Sequence, residues 1–123
     1  MASLLAGRRV LIVEDEAIVA ILLEDIVEEI GCTIVGPVSK VVHAVAALEN
    51  ERVDAAILDV NLAGEWSYPI ADALAARGIP YVFVTGYGEA GIDAAYRSQL
   101  VVQKPFTRLS LESALERLIA PPA

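Results

Sequence analysis

Short apolar runs alternate with helical patterns along most of the chain, and this alternation restricts the fold more than any other sequence feature. Strand-like runs rich in Val, Ile, Leu and Ala occupy residues 10–13, 33–38, 54–59, 81–85 and 100–102. The segments between and after them carry apolar side chains at helical spacing. Strands that alternate with helices form a parallel sheet covered on both faces, and right-handed crossovers make it a three-layer α/β sandwich.

Five helical patterns accompany the five predicted strands. In the first, over residues 16–30, apolar residues recur every four positions and mark one helical face, at Ile18, Leu22, Ile26 and Ile30. Gly31 follows at the position where helices commonly end. The other patterns run from a Ser39 cap to about Asn50, from Pro69 to Gly78, over a short stretch after the glycines of residues 86–91, and from about Arg108 after a Thr107 cap.

Length and composition indicate one folded domain. The 123 residues suit a single domain with a core over about residues 8–120, and a hydrophobic content of 56% excludes disorder as the main state. A net charge of −8 argues against binding to duplex nucleic acid or an anionic membrane. Cys32 is the single cysteine, and no apolar run reaches the roughly 20 residues of a membrane span. We therefore expect a soluble cytoplasmic protein.

Reactive side chains follow four of the predicted strands, at the point where each strand ends. Glu14 and Asp15 follow the first strand, Asp59 ends the third, Thr85 ends the fourth, and Lys104 follows the fifth. The carboxyl ends of parallel strands meet at one edge of the sheet, where ligands bind in open α/β folds. The sequence therefore predicts that three carboxylates, a hydroxyl and a lysine converge there.

This set of groups fits phosphoryl transfer to an aspartate in the presence of Mg²⁺. Carboxylates that are brought together repel one another, and a hard cation with oxygen ligands relieves the repulsion. Asp59 is the best candidate for the nucleophile because the end of a central strand holds it rigidly, and Asp15, with Glu14 further away, is the candidate metal ligand.

The same residues carry a family resemblance. Residues 10–16, residues 57–62, the Val84-Thr85-Gly86 segment and the Lys104-Pro105-Phe106 segment resemble, in this order and spacing, the receiver domain of two-component response regulators. The resemblance covers nearly the whole chain. It implies a flavodoxin-like (βα)5 fold with a parallel five-stranded sheet in the order 2-1-3-4-5.

The resemblance also implies a role for each residue of the site. Asp59 would be the phosphoacceptor and Asp15 a direct Mg²⁺ ligand, with Asn61 supplying a backbone carbonyl and Glu14 acting mainly through water. Thr85 and Lys104 would contact the phosphoryl group. Such a domain is a signalling module that catalyses only its own phosphorylation and dephosphorylation.

A narrower similarity is to the FAT GUY subgroup of receivers, many of which are stand-alone receivers. It rests on residues 81–88 and on residues 103–106, with Val84 in place of the subgroup's alanine. Most receivers carry a switch aromatic residue three positions before the lysine, and here that position is Val101. Tyr87 is the alternative candidate for a residue that reports phosphorylation.

The implied partner is a sensor histidine kinase or a phosphotransfer protein that docks near the first helix. Val19, Leu22 and Leu23 are the candidate contacts, although Val19 and Leu23 could instead pack in the core. The Trp66-Ser67-Tyr68-Pro69 segment could contact a partner or cover the edge of the core. The output partner and the oligomeric state stay open.

Two other functions remain alternatives. One is a receiver-like binding module that is never phosphorylated. The other is a haloacid-dehalogenase-type phosphatase, which also uses Mg²⁺ and a strand-end Asp but needs a second Asp two positions later, where this chain has Asn61.

Overall fold

Five parallel strands form the central sheet in the computed structural model, which describes residues 4–86, 92–96 and 100–119. The strands are β1 (Arg9–Val13), β2 (Thr33–Val38), β3 (Ala55–Asp59), β4 (Tyr81–Thr85) and β5 (Leu100–Gln103). Their order in the sheet is β2-β1-β3-β4-β5, which confirms the predicted order.

A short antiparallel hairpin that we did not predict lies between β3 and the next helix. Its strands are Asn61–Leu62 and Glu65–Trp66, and they form a separate two-stranded sheet. If these two strands are counted along the chain, the order of the main sheet becomes 2-1-3-6-7, although its architecture is the predicted one.

Within the described residues, four α-helices cover the sheet: α1 (Ala17–Ile30), α2 (Val41–Asn50), α3 (Tyr68–Ala76) and α4 (Arg108–Ile119). Four of the five predicted helical patterns are these α-helices, and in the other, which was expected to be short, the described part of the connection between β4 and β5 contains a 3-10 turn, Ala94–Tyr96. None of the helices within the described residues combines the length and apolar character needed to cross a bilayer.

The predicted helix ends are partly confirmed. Gly31 ends α1 in the left-handed region, with φ of 103°, and the Thr107 hydroxyl accepts a hydrogen bond of 3.1 Å from the backbone N–H of Ser110 at the start of α4. The predicted Ser39 cap is wrong, because α2 begins at Val41 and the extended Lys40 precedes it without a side-chain cap.

Two apolar layers lie on opposite faces of the sheet. Leu11, Leu58 and Phe83 point toward α2 and α3, whereas Ile12 and Ile57 point toward α1 and α4. Successive side chains of a strand point to opposite faces, so strands covered on both faces must be apolar almost throughout. This double burial explains the continuous apolar runs and holds the ends of the strands in fixed positions.

The apolar face predicted for α1 is buried on the sheet only in its C-terminal half. Ile26 and Ile30 are buried, but Ile18 is 84% exposed and Leu22 is 46% exposed. A helix turns by about 100° per residue, so a strict four-residue repeat drifts by about 40° at each step and leaves the buried face within three steps. The core receives Leu23 instead.

Candidate functional site

The carboxyl ends of four strands meet at one edge of the sheet and bring the predicted site residues together. Glu14 directly follows β1, Asp59 is the last residue of β3, and Thr85 is the last residue of β4. Lys104 directly follows β5, and its backbone N–H donates a hydrogen bond of 2.8 Å to the carbonyl of Thr85. Parallel pairing therefore places residues that are distant in sequence side by side.

Three carboxylates form a cluster at this edge. One oxygen each from Glu14, Asp15 and Asp59 lie within 4.8 Å of one another. Glu14 and Asp59 are buried, and Asp15 is half-buried. Backbone N–H groups donate to two of them, from Glu16 to Oε2 of Glu14 at 3.2 Å and from Asn61 to Oδ1 of Asp59 at 3.4 Å. Two bonds of this length neutralise only part of the negative charge.

Lys104 supplies the positive charge in the cluster. Its Nζ lies 3.2 Å from Oε1 of Glu14 and 3.3 Å from Oδ2 of Asp59. Burial lowers the pKa of Lys104, but the carboxylates of Asp59 and Glu14 outweigh burial, and the net shift is upward. Lys104 therefore stays charged at every physiological pH and is shared between two carboxylates.

Glu14 is the most perturbed group of the site. Burial away from water, reinforced by the neighbouring carboxylate of Asp59, raises the pKa of Glu14 to about 7. Its Oε1 forms the ion pair with Lys104 at 3.2 Å but is the one buried side-chain oxygen or nitrogen in the described part of the chain without a hydrogen bond of good geometry. One lysine thus balances three crowded carboxylates, and a divalent cation with oxygen ligands fits this excess of negative charge.

In the absence of metal, we expect the free energy of unfolding to fall as pH rises from about 4.5 to about 7. Folded Glu14 keeps its proton up to about pH 7, whereas the unfolded chain loses it near 4.5, so the folded state binds more protons in this window. Glu14→Gln should remove this part of the pH dependence and stabilise the metal-free protein at pH 8 by about 1–3 kcal/mol. Urea denaturation at several pH values measures both effects.

The matched control for this prediction is Glu28→Gln, the same change at an exposed position of α1. It should leave the pH dependence of unfolding unchanged. An unaltered pH dependence in Glu14→Gln contradicts the assignment of the proton to Glu14. Added Mg²⁺ should flatten the curve of the wild-type protein, because it stabilises the charged carboxylates.

The hairpin after Asp59 forms one side of the site. Its two-residue turn has positive φ at both positions, 54° at Ala63 and 93° at Gly64, which suits the right-handed twist of the strands. Oδ1 of Asn61 accepts a hydrogen bond of 2.7 Å from the backbone N–H of Gly64, and buried Ser67 donates from N and Oγ to the carbonyl of Val60. The Ala-Gly pair was the available sequence signal for this hairpin.

Trp66 is a residue of the site that the sequence did not identify. It lines a cleft of about 470 Å³ together with Asp15, Asp59, Asn61 and Thr85. Its ring stacks on Tyr68, and Tyr68 in turn stacks on Tyr96. Of the two roles left open for this segment, the Tyr68 ring covers the edge of the core, whereas half of the Trp66 side chain is exposed.

The predicted switch and partner residues differ in their burial. Tyr87 lies outside the described residues. Val101 occupies β5 and packs, partly buried, against the core. Leu23 is almost fully buried, which corrects its choice as a partner contact, whereas Val19 is partly buried and Leu22 is exposed.

Comparisons with known proteins agree with this geometry. A family model described as the response regulator receiver domain matches residues 10–116. The solution structure of SdrG from Sphingomonas melonis Fr1 is 48% identical, with a TM-score of 0.83, over 97% of this chain and 100% of that one.

Two further relatives extend the comparison. The receiver domain of the sensor histidine kinase PA1611 from Pseudomonas aeruginosa PAO1, with a magnesium ion in its active-site cleft, is 25% identical, with a TM-score of 0.81, over 94% of this chain and 100% of that one. The transcriptional regulatory protein PdtaR of Mycobacterium tuberculosis H37Rv is 32% identical over 119 residues. That match covers 92% of this chain and 57% of PdtaR, so the chain spans little more than half of this curated relative.

Proposed function

This chain belongs to the response regulator receiver domain family, and on that premise we propose that it is a phosphorylation-dependent switch of a two-component signalling system. Asp59 accepts a phosphoryl group from the phosphohistidine of a sensor histidine kinase or phosphotransfer protein. The observation that carries the proposal is the pairing of Asp59 with Lys104 at 3.3 Å inside a cluster of three carboxylates.

The residues of the cleft divide the chemistry among them. An oxygen of Asp59 attacks the phosphorus, a P–O bond forms, and the bond between phosphorus and the donor nitrogen breaks. Asp15, Asp59 and the backbone carbonyl of Asn61 would hold a Mg²⁺ ion, with Glu14 acting through water, and the bound ion would supply positive charge to the phosphoryl oxygens. Lys104 and the hydroxyl of Thr85 contact the remaining phosphoryl oxygens.

Acetyl phosphate provides the simplest test of this function. The protein should gain the mass of one phosphoryl group when it is incubated with acetyl phosphate and Mg²⁺, and should gain none when EDTA is present. Labelling that is equally fast in EDTA contradicts the proposal. Release of inorganic phosphate from unrelated phosphate esters would instead support the phosphatase alternative. The sequence argues against that alternative, because Asn61 occupies the position of the second Asp that such a phosphatase needs.

We place the kinase contact on the exposed N-terminal half of α1 and the segment after β5. Val19, Leu22, Pro105 and Phe106 line an apolar groove of about 320 Å³ that also reaches Lys104. A protein docked there would lie beside the acidic cleft, within reach of Asp59. The donor kinase uses ATP in the cytoplasm, so the same proposal locates the chain in that compartment.

Leu22→Ala should slow phosphotransfer from the cognate kinase by about tenfold, because removing most of a Leu side chain that the partner buries costs about 1.5 kcal/mol of binding. Labelling by acetyl phosphate should be unchanged, since a small donor does not touch α1. Phosphotransfer profiling against the histidine kinases of the source organism first identifies the donor.

Val42→Ala is the matched control for Leu22→Ala, because Val42 is also exposed but belongs to α2 on the other face of the sheet. It should leave both reactions unaffected. Equal slowing of kinase transfer by the two substitutions would remove the argument for docking on α1.

Phosphorylation can alter partner binding only through contacts that differ between the phosphorylated and unphosphorylated states. We propose that the loops after β3 and β4 carry this difference, since Asp59 and Thr85 end those two strands. The output is then either binding to a partner protein or removal of phosphoryl groups from a relay.

A further inference from the structure

The largest apolar side chain that lines the acidic cleft is the indole of Trp66. Trp66 is the single tryptophan of the chain and ends the hairpin that begins two residues after Asp59. Its backbone pairs with Asn61 across the hairpin, which ties its position to the residues that follow the phosphoacceptor. Half of the side chain is exposed, so an apolar surface faces solvent beside a cluster of carboxylates.

The indole is held in place by a stack of three rings. Trp66 and Tyr68 lie 5.5 Å apart between ring centroids at an interplanar angle of 8°, and Tyr68 and Tyr96 lie 4.3 Å apart at the same angle. The stack has polar anchors as well, because Tyr68 Oη accepts a hydrogen bond from the N–H of Asp93, and Tyr96 Oη donates one to Asp72. A group bound in the cleft therefore meets an indole that is already oriented.

We propose that Trp66 is a specificity residue that contacts the leaving group of the phosphodonor and favours a phosphorylated imidazole, with its cationic ring, over a donor that releases an anion, such as acetyl phosphate. This inference rests on the proposed function of Asp59. It adds a preference among donors that the carboxylate cluster alone does not provide, since every donor presents the same phosphoryl group to Asp59.

The charge of the donor supplies the physical reason. A phosphorylated imidazole that is protonated on its second nitrogen carries a planar cationic ring, and the face of an indole attracts such a cation. When Asp59 attacks, a P–O bond forms, the P–N bond breaks, and its electron pair remains on the ring nitrogen. The imidazole leaves neutral and needs no added proton. Acetyl phosphate instead releases acetate, which gains nothing from the indole.

The timing of the charge determines which kinetic constant changes. The ring is cationic in the bound donor and keeps part of its charge in the transition state, where the P–N bond is only partly broken. Contact with Trp66 therefore stabilises the bound donor and, to a smaller extent, the transition state. We expect loss of the indole to raise the apparent KM for phosphoimidazole and to lower kcat/KM, without lowering kcat.

The experiment compares two small donors on three proteins. Wild type, Trp66→Leu and Trp66→Phe are labelled with phosphoimidazole or acetyl phosphate in Mg²⁺, and intact mass spectrometry follows the phosphorylated fraction. The ratio of the second-order rate constants, phosphoimidazole to acetyl phosphate, should fall about five- to tenfold in Trp66→Leu, which keeps apolar bulk but has no ring. Trp66→Phe should recover most of the ratio because it restores an aromatic face.

Each other outcome overturns the inference. Equal slowing of both donors in Trp66→Leu assigns Trp66 a purely structural role, and an unchanged ratio with Asp59 fully labelled shows that the indole does not contact the leaving group. If neither donor labels wild type, or if labelling persists in Asp59→Asn, the proposed function itself fails and the inference fails with it. Thermal unfolding of the three proteins identifies any loss of the fold.

Discussion

The Asp59→Asn variant is expected to take up no detectable phosphoryl group from acetyl phosphate or from a cognate kinase. Asn has the size and nearly the shape of Asp but lacks the nucleophilic carboxylate, so the substitution removes the attacking oxygen and leaves the packing of β3 in place. The variant also removes one of three crowded negative charges, and it should fold at least as stably as wild type without Mg²⁺. Phosphorylation is measured by intact mass, and folding by urea denaturation.

The control is Asp25→Asn, the same chemical change on the exposed face of α1. It should be labelled at the wild-type rate. Undiminished labelling of Asp59→Asn would mean that another residue accepts the phosphoryl group and would end the assignment of Asp59.

Replacing Lys104 by Met should produce the largest loss of stability among the site variants. The substitution leaves the buried carboxylates of Glu14 and Asp59 without their counter-charge, and breaking a buried ion pair in this way costs about 3–5 kcal/mol. We expect the lower end of that range at pH 8, because Lys104 is 22% exposed, and a smaller loss near pH 5.5, where Glu14 binds a proton. Urea denaturation at the two pH values measures the difference.

Arg108→Met is the matched control for the Lys104 variant. Arg108 pairs with Glu29 at 3.3 Å, a distance like those of Lys104, but both partners are more than half exposed, so the loss should stay below about 1 kcal/mol. Saturating Mg²⁺ should restore part of the stability of Lys104→Met and none of that of Arg108→Met. Equal losses in the two variants would show that Lys104 is an ordinary surface lysine.

The fold and the central residues of the site follow from the sequence because both depend on local patterns. Strands buried on both faces must be apolar, so β1, β3 and β4 stand out as continuous runs. Polar residues at their carboxyl ends then converge by topology alone, so the sequence is sufficient to group Glu14 and Asp15 with Asp59 and Lys104. The sequence does not predict the distances within the site or the burial that raises the pKa of Glu14.

Features that depend on tertiary contacts could not be predicted from the sequence. The N-terminal half of α1 is apolar all round, so spacing could not distinguish exposed Leu22 from buried Leu23, and only packing on the sheet decides between them. Trp66 is distant in sequence from Tyr96, and no periodicity predicts that both will belong to one stack with the ring of Tyr68. The role of Tyr87 stays a prediction, and so does the membership of this chain in the FAT GUY subgroup.

The most direct test of the central claim is to locate the phosphoryl group on the wild-type protein. After reaction with acetyl phosphate and Mg²⁺, reduction with borohydride converts an aspartyl phosphate to homoserine, which peptide mass spectrometry assigns to one residue. We expect homoserine at position 59 alone, and only in samples that contained Mg²⁺. Conversion at a different aspartate, or a phosphoryl group retained on a serine, threonine or histidine, would contradict it.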